Sequence, residues 1–206
     1  MSADNAAPGV PPRTVAEVVD QGAVSSASSS VTGMAIFVAS EAVFFAAFLG
    51  IYMSSYTSAR DWPPPGMSPP SLPVPTAAVA VLLLSGLSMT RSLRAVHRAD
   101  YPRGVVPWLC VTLVASTAFA ALVAYGMTDV AFGIGDGIYQ SLFYVISGLE
   151  LAHGAGGVVL LGMLLVRART GELHLHRDPI QAAAIYWYFV IVLGVVIYVV
   201  LDLAVQ

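Results

Sequence analysis

The hydrophobic residues of the chain fall into five long runs that are separated by short polar links. No run shows the alternating apolar and polar residues of a barrel strand. A bilayer core of roughly 30 Å needs about 20 apolar residues in a helix, and each run is at least that long. The pattern therefore predicts an all-α polytopic membrane protein with transmembrane helices at about residues 32–56, 76–96, 105–127, 138–166 and 179–205.

The first 31 residues have a different character. They are rich in Ala, Ser, Pro and Val, and they end in an SSASSS run at 25–30. They lack the basic segment and short apolar core of a cleaved signal peptide. We expect residues 1–31 to form a mobile cytoplasmic tail and residues 32–206 to form the membrane domain.

Composition supports a membrane location. The chain is 57% hydrophobic and 10% charged, whereas soluble domains are about 45–50% apolar with about 25% charged residues. All nine basic residues are arginines and the net charge is −3, which excludes the basic face that nucleic-acid binding requires. A single cysteine, Cys110, excludes a disulfide framework and a cysteine-based metal site.

The arginines predict the orientation, because positive residues concentrate in cytoplasmic links. Seven of them flank the link between spans two and three and the link between spans four and five: Arg91, Arg94, Arg98, Arg103, Arg167, Arg169 and Arg177. This places the N-terminus in the cytoplasm and the C-terminus outside. The first link, residues 61–75, is rich in proline and lies on the outer face, with Trp62 as an interfacial anchor.

Three ionisable residues lie at membrane depth, where such groups are functional candidates. Glu41 is about two turns into the first span, and Glu150 and His153 are midway along the fourth. Glu41 is either a protonatable group that takes part in proton movement or a carboxyl that hydrogen-bonds between helices. Glu150 and His153 are three residues apart and share one helix face, which predicts a hydrogen-bonded pair. The Glu-x-x-His unit also occurs in di-metal bundles, but a complete site needs further ligands.

Other residues predict contacts with lipid or with neighbouring helices. Gly148, Ala152 and Gly156 are spaced as a tight helix contact. Arg91 and Arg94 stand at the cytoplasmic interface, and Tyr186 and Trp187 open the last span as part of an aromatic belt. No catalytic motif and no set of haem or copper ligands is present, so the chain is predicted to be a supporting subunit.

Four segments together resemble subunit III of the haem–copper terminal oxidases, the cytochrome c oxidase type. They are SEAVFFAAF (40–48), WPPPG (62–66), DGIYQSLFY (136–144) and AAAIYW (182–187). The resemblance extends over residues 34–203, and the five-span pattern is similar to the short bacterial form. Two departures indicate a divergent branch. The family usually has His-x-x-His where this chain has Glu150-x-x-His153, and its Tyr-Trp-His-Phe-Val-Asp motif lacks the histidine and the aspartate here.

The resemblance implies a subunit of the bacterial plasma membrane that binds no redox cofactor. It would pack on oxidase subunits I and II, which hold haem and copper, and would bind structural phospholipid. It would also support proton uptake near Glu41, in a respiratory complex that reduces oxygen with electrons from cytochrome c or quinol. Two alternatives remain open, namely an accessory protein of nitric oxide reductase and a small proton-coupled carrier that uses Glu41 and Glu150.

Overall fold

The computed structural model describes residues 15–66, 70–98, 103–175 and 177–204. These residues form six α-helices: α1 (Val15–Ser58), α2 (Pro73–His97), α3 (Val105–Thr128), α4 (Ile138–Thr170), the short α5 (Glu172–Leu175) and α6 (Asp178–Ile197). A π-helical segment, Tyr198–Leu203, continues α6.

Five helical segments are long and apolar enough to cross a membrane, which confirms the predicted number of spans. They are Ser29–Ser58, Pro73–Val96, Val105–Thr128, Ile138–Thr170 and Asp178–Leu203. Proline in the first turn helps to start α2 and α6, because it donates no hydrogen bond and its φ suits a helix. Gly171, at φ 89°, ends α4 in the left-handed conformation.

The largest difference from the sequence prediction is at the N-terminus. Residues 15–31, predicted as part of a mobile tail, are helical and continuous with α1. Once the apolar span has nucleated a helix, each further residue is added at little cost, and the alanines of this segment favour the extension. The rest of the predicted tail, residues 1–14, lies outside the described residues.

Helix α6 is the centre of the bundle. It packs against α1, α2 and α4, while α3 packs against α2 and α4. Within the most apolar window of each span, 44% of the residues of the last span are buried and only 6% of those of the first. Helix α1 is therefore peripheral, with most of its surface turned away from the bundle.

The bundle has two ends, which we name by their links. The Arg-rich end holds the links between α2 and α3 and between α4 and α6, and its core surrounds Trp187. The Pro-rich end holds the link between α1 and α2, and its core includes Phe45, Tyr52, Tyr139 and Ile146.

The glycines of α4 that are buried against a neighbouring helix are not the ones that the sequence predicted. Ala152 and Gly156 are exposed, whereas Gly154 and Gly157 are buried. A Cβ added to Gly157 would lie 2.7 Å from Cε3 of Trp187 and closer still to its Cζ3. The predicted ladder does not meet a single helix, since a Cβ at Gly156 would lie 3.1 Å from the Tyr186 hydroxyl on α6 and one at Gly148 would lie 3.8 Å from Cε of Met127 on α3.

Candidate functional site

The most distinctive polar feature in the membrane spans is a pair of side chains that joins α1 to α4. Nε2 of His153 lies 3.1 Å from Oε2 of Glu41. The side chains are 13% and 23% exposed, respectively. The sequence identified both residues, and the structure brings them together across two helices.

The hydrogen bonds of His153 determine how many protons the pair holds. Its Nδ1 lies 2.8 Å from the backbone carbonyl oxygen of Leu149, which can only accept, so Nδ1 carries a proton. Nε2 therefore either accepts a hydrogen bond from protonated Glu41 or is itself protonated and donates to the carboxylate. In both cases Glu41 and His153 share one further proton, and the pair is electrically neutral.

Aromatic rings surround this pair. The ring centroid of Phe45 lies 5.0 Å from that of His153, and the ring of Tyr186 stacks on His153 at 6.4 Å. The hydroxyl of Tyr186 donates a 2.8 Å hydrogen bond to the backbone carbonyl of His153. These contacts fix the imidazole and keep the shared proton in an apolar setting, where electrostatic interactions are stronger than in water.

Glu150 does not pair with His153, contrary to the sequence prediction. His153 faces α1, whereas Glu150 is 7% exposed and lines a cavity between α2, α3, α4 and α6. Three residues correspond to about 300° of rotation along a helix, so the two side chains point some 60° apart. Because α4 has neighbours on several sides, that difference is enough to send them to different helices.

Asp202 is a buried acid that the sequence interpretation missed. It is 8% exposed and lines the same cavity as Glu150. The available signal was its place within the apolar run VVLDLAV at 199–205.

The structure does not bring a third possible metal ligand to the Glu-x-x-His unit among the described residues. Within the described ranges, no group of three or more His, Cys, Asp or Glu side chains could hold a metal ion. Glu150 and His153 also face different neighbours, so they do not form a common ligand pair.

Comparison with known proteins identifies the family of this bundle. The family model described as cytochrome c oxidase subunit III matches residues 16–204. The chain is 35% identical over 177 residues to "Cytochrome c oxidase subunit 3" of Mus musculus. It is 31% identical over 175 residues to the protein of that name from Struthio camelus. The chain belongs to the cytochrome c oxidase subunit III family.

The match with these subunit III relatives is long but does not include their whole length. Each alignment covers 81% of this chain and 66% of the relative, so the chain spans just under two thirds of these proteins. The family match includes both halves of the Glu41–His153 pair and both acids of the cavity.

In this subunit III family member, Tyr186 and Trp187 are buried in the bundle and do not form part of the predicted aromatic belt at the membrane interface. Trp187 is fully buried and donates a 2.9 Å hydrogen bond from Nε1 to Oγ of Ser85. Tyr186 is 7% exposed and contacts His153. Both residues face inward because α6 is central and has helices around it.

The other predicted interface residues lie near the two ends of the bundle. The indole of Trp62 packs edge-on against the rings of Tyr52 and Tyr139 and donates a 3.1 Å hydrogen bond to the Tyr52 hydroxyl. At the Arg-rich end, Arg91 lies over the ring of Trp108, with 4.6 Å from Cζ to the centroid. Arg91, Arg94, Arg98 and Trp108 line one groove between α2 and α3.

Proposed function

We propose that this chain is the non-redox subunit III of an aerobic respiratory terminal oxidase. The complex would reduce oxygen to water with electrons from cytochrome c or quinol, with haem and copper held by subunits I and II. The chain would stabilise the catalytic subunit and support its proton uptake. The observation that carries this proposal is the Glu41–His153 pair, a polar contact of 3.1 Å on the most exposed span of a subunit III family member.

The exposure of α1 supports a protein partner at this pair. Glu41 lies on the peripheral helix and retains an exposed fraction of 23%. Polar groups that face lipid are costly, so a partner helix over Glu41 would lower that cost. Large apolar side chains on the same helix are also exposed, among them Ile36, Val43 and Phe44. We propose that subunit I covers this surface.

The two ends of the bundle support an orientation. The Arg-rich end carries the groove between α2 and α3, and positive residues favour the cytoplasmic side. We propose that this end faces the cytoplasm of a bacterial cell, with the N-terminus inside and the C-terminus outside. Glu41 lies in the half of the first span that is nearer the Arg-rich end of the bundle. The proton that it shares with His153 would therefore lie towards the cytoplasmic side.

We propose that the groove of Arg91, Arg94 and Arg98 binds the phosphate of an anionic phospholipid. No carboxylate of the described residues forms an ion pair with these arginines. Basic pockets between transmembrane helices are typical sites for anionic headgroups. The stacking of Arg91 on Trp108 holds one guanidinium in place for such a ligand.

Replacing Arg91 and Arg94 together by glutamine is expected to weaken lipid binding. Each arginine near the membrane surface contributes about 1 kcal/mol, so the double variant should lose about 2 kcal/mol, or roughly thirtyfold in affinity. Native mass spectrometry of the purified complex measures the retained lipid. Arg167→Gln is the control, because Arg167 is exposed at the same end but pairs with Glu172. Equal lipid retention in both variants would exclude the groove as the site.

Affinity purification of the chain from its native membranes tests the proposed function. An oxidase role predicts co-isolation with a haem a and copper subunit and oxygen consumption by the purified complex. Co-isolation with a haem b reductase instead would favour the nitric oxide reductase accessory role, which the missing histidine and aspartate of the last-span motif make the nearest alternative. Proton-coupled transport by the isolated chain in liposomes would contradict both.

A further inference from the structure

A cavity enters the bundle near the Pro-rich end, between α2, α3, α4 and α6. About 50 Å³ of it can hold water-sized molecules. At roughly 10–15 Å³ for each water, this is room for a few waters. Six polar residues are among those that line it: Ser71, Asp129, Ser147, Glu150, Tyr198 and Asp202.

Glu150 is the deepest polar group of this cavity. It is twelve residues from the start of α4 at Ile138, which is about 18 Å along the helix, whereas Asp202 is one residue from the end of the last span. None of the hydrogen bonds found among the described residues involves the Glu150 carboxyl, although its side chain is more than nine-tenths buried. A buried carboxyl without a hydrogen-bond partner among the described residues indicates that water or another ligand fills this role.

Gly194 on α6 makes the space for this carboxyl. A Cβ at position 194 would lie 3.2 Å from Oε1 of Glu150 and 2.6 Å from Cδ2 of Leu82. Any larger residue would therefore displace Glu150 or narrow the cavity. The position of the Glu150 carboxyl therefore depends on the absence of a side chain at Gly194.

The charges that face Glu150 are all acidic or neutral. Asp202 is within electrostatic range of Glu150, and the hydroxyls of Tyr52 and Tyr139 are within range of Asp202. Asp129 and Tyr198 are the other titratable groups in the lining, which contains no Lys, Arg or His among the described residues. An ionised Glu150 would be a buried charge beside another acid and without a cation in the cavity, which is far more costly than a protonated carboxyl.

We propose that this cavity is a hydrated proton-binding site, in which Glu150 holds a proton that exchanges through water and Asp202 with the aqueous phase at the Pro-rich end. The step is a proton transfer from the carboxylic acid to water, which leaves a carboxylate and a hydronium ion, and the reverse. A metal cation is the less favoured ligand, because the lining acids Asp129, Glu150 and Asp202 do not come together as a group of three that could hold a metal ion among the described residues. The site depends only on residues of this chain and would exist whether or not the chain joins an oxidase.

Infrared spectroscopy of the purified native complex tests this site. A carboxylic acid C=O band is expected that shifts when H₂O is replaced by D₂O and disappears when the pH is raised. Glu150→Gln should abolish this band, whereas Glu41→Gln, which removes the other membrane-depth glutamate, should leave it in place. Asp202→Asn should slow its exchange with D₂O. Equal carboxylic acid bands in the unaltered and Glu150→Gln complexes, or a Glu150-dependent band that does not exchange with D₂O, would overturn the proposal.

Two further measurements keep the test valid if a variant assembles poorly. Carbodiimide labelling of the unaltered complex, mapped by mass spectrometry, should modify Glu150, because this reagent reacts with protonated carboxyls in apolar surroundings. Protection of Glu150 by Na⁺ or Ca²⁺ at constant pH would instead indicate a metal-cation site and overturn the proposal. Gly194→Ala should reduce the labelling, whereas Gly50→Ala, where an added Cβ has no atom of the described residues within 4 Å, should not.

Discussion

Replacing Gly157 by alanine is expected to destabilise the bundle by about 1–3 kcal/mol, the usual cost of overpacking a close contact. The new methyl group would lie 2.7 Å from Cε3 of Trp187 and nearer still to Cζ3. Trp187 is fully buried and its Nε1 is held by Ser85, so the ring cannot move away freely. The free energy of unfolding in detergent micelles, measured by titration with a denaturing detergent, reports this cost.

Gly162→Ala is the matched control on the same helix. An alanine Cβ at position 162 has no atom of the described residues within 4 Å. This variant should be as stable as the unaltered chain or more stable by up to about 1 kcal/mol, because alanine favours a helix more than glycine does. Equal stability of the two variants would contradict the packing of α4 on Trp187.

Glu41 is expected to respond differently to two substitutions. Glu41→Leu leaves Nε2 of His153 without its partner in a largely buried position, which costs about 1–3 kcal/mol of stability. Glu41→Gln can still donate a hydrogen bond to Nε2, so it should keep the fold and, in the proposed oxidase complex, the haem. Because glutamine does not titrate, the same variant should lower the steady-state oxygen consumption of the proposed oxidase or shorten its active life.

A surface carboxyl provides the comparison for this pair. Glu172 forms an exposed ion pair with Arg167 at 3.8 Å, and such pairs contribute about 0–1 kcal/mol. Glu172→Gln should therefore change stability by less than Glu41→Leu. The combined variant Glu41→Leu, His153→Leu should differ from the sum of its single changes by about 0.5–3 kcal/mol. Additive effects, together with unchanged turnover in Glu41→Gln, would leave the pair without a structural or a functional role.

The five spans could be predicted from the sequence because the bilayer imposes a simple requirement on length and hydrophobicity. The predicted third span, residues 105–127, differs from the structure by one residue. The conformation of residues 15–31 was harder to predict from the sequence. Their small and polar side chains favour neither helix nor coil strongly, so the neighbouring span determines which one forms.

The sequence was enough to identify the residues of the candidate site, but it could not show which of them contact each other. Glu41 and His153 stand out as ionisable groups at membrane depth, but their pairing depends on how α1 and α4 are rotated about their axes. Periodicity shows which residues share a face and not which helix that face meets. Trp187 illustrates the same gap, since aromatic residues at a span start are typical of a membrane interface, while the central place of α6 buries this one.

The most direct test of a supporting role is to remove this chain from the purified complex and to measure proton uptake, oxygen consumption and haem content together. The expected complex without the chain keeps its haem spectrum and still reduces oxygen, but it takes up protons more slowly and loses activity sooner during turnover. Loss of haem with the chain, or unchanged proton uptake and active life without it, would contradict a non-redox subunit that supports proton uptake.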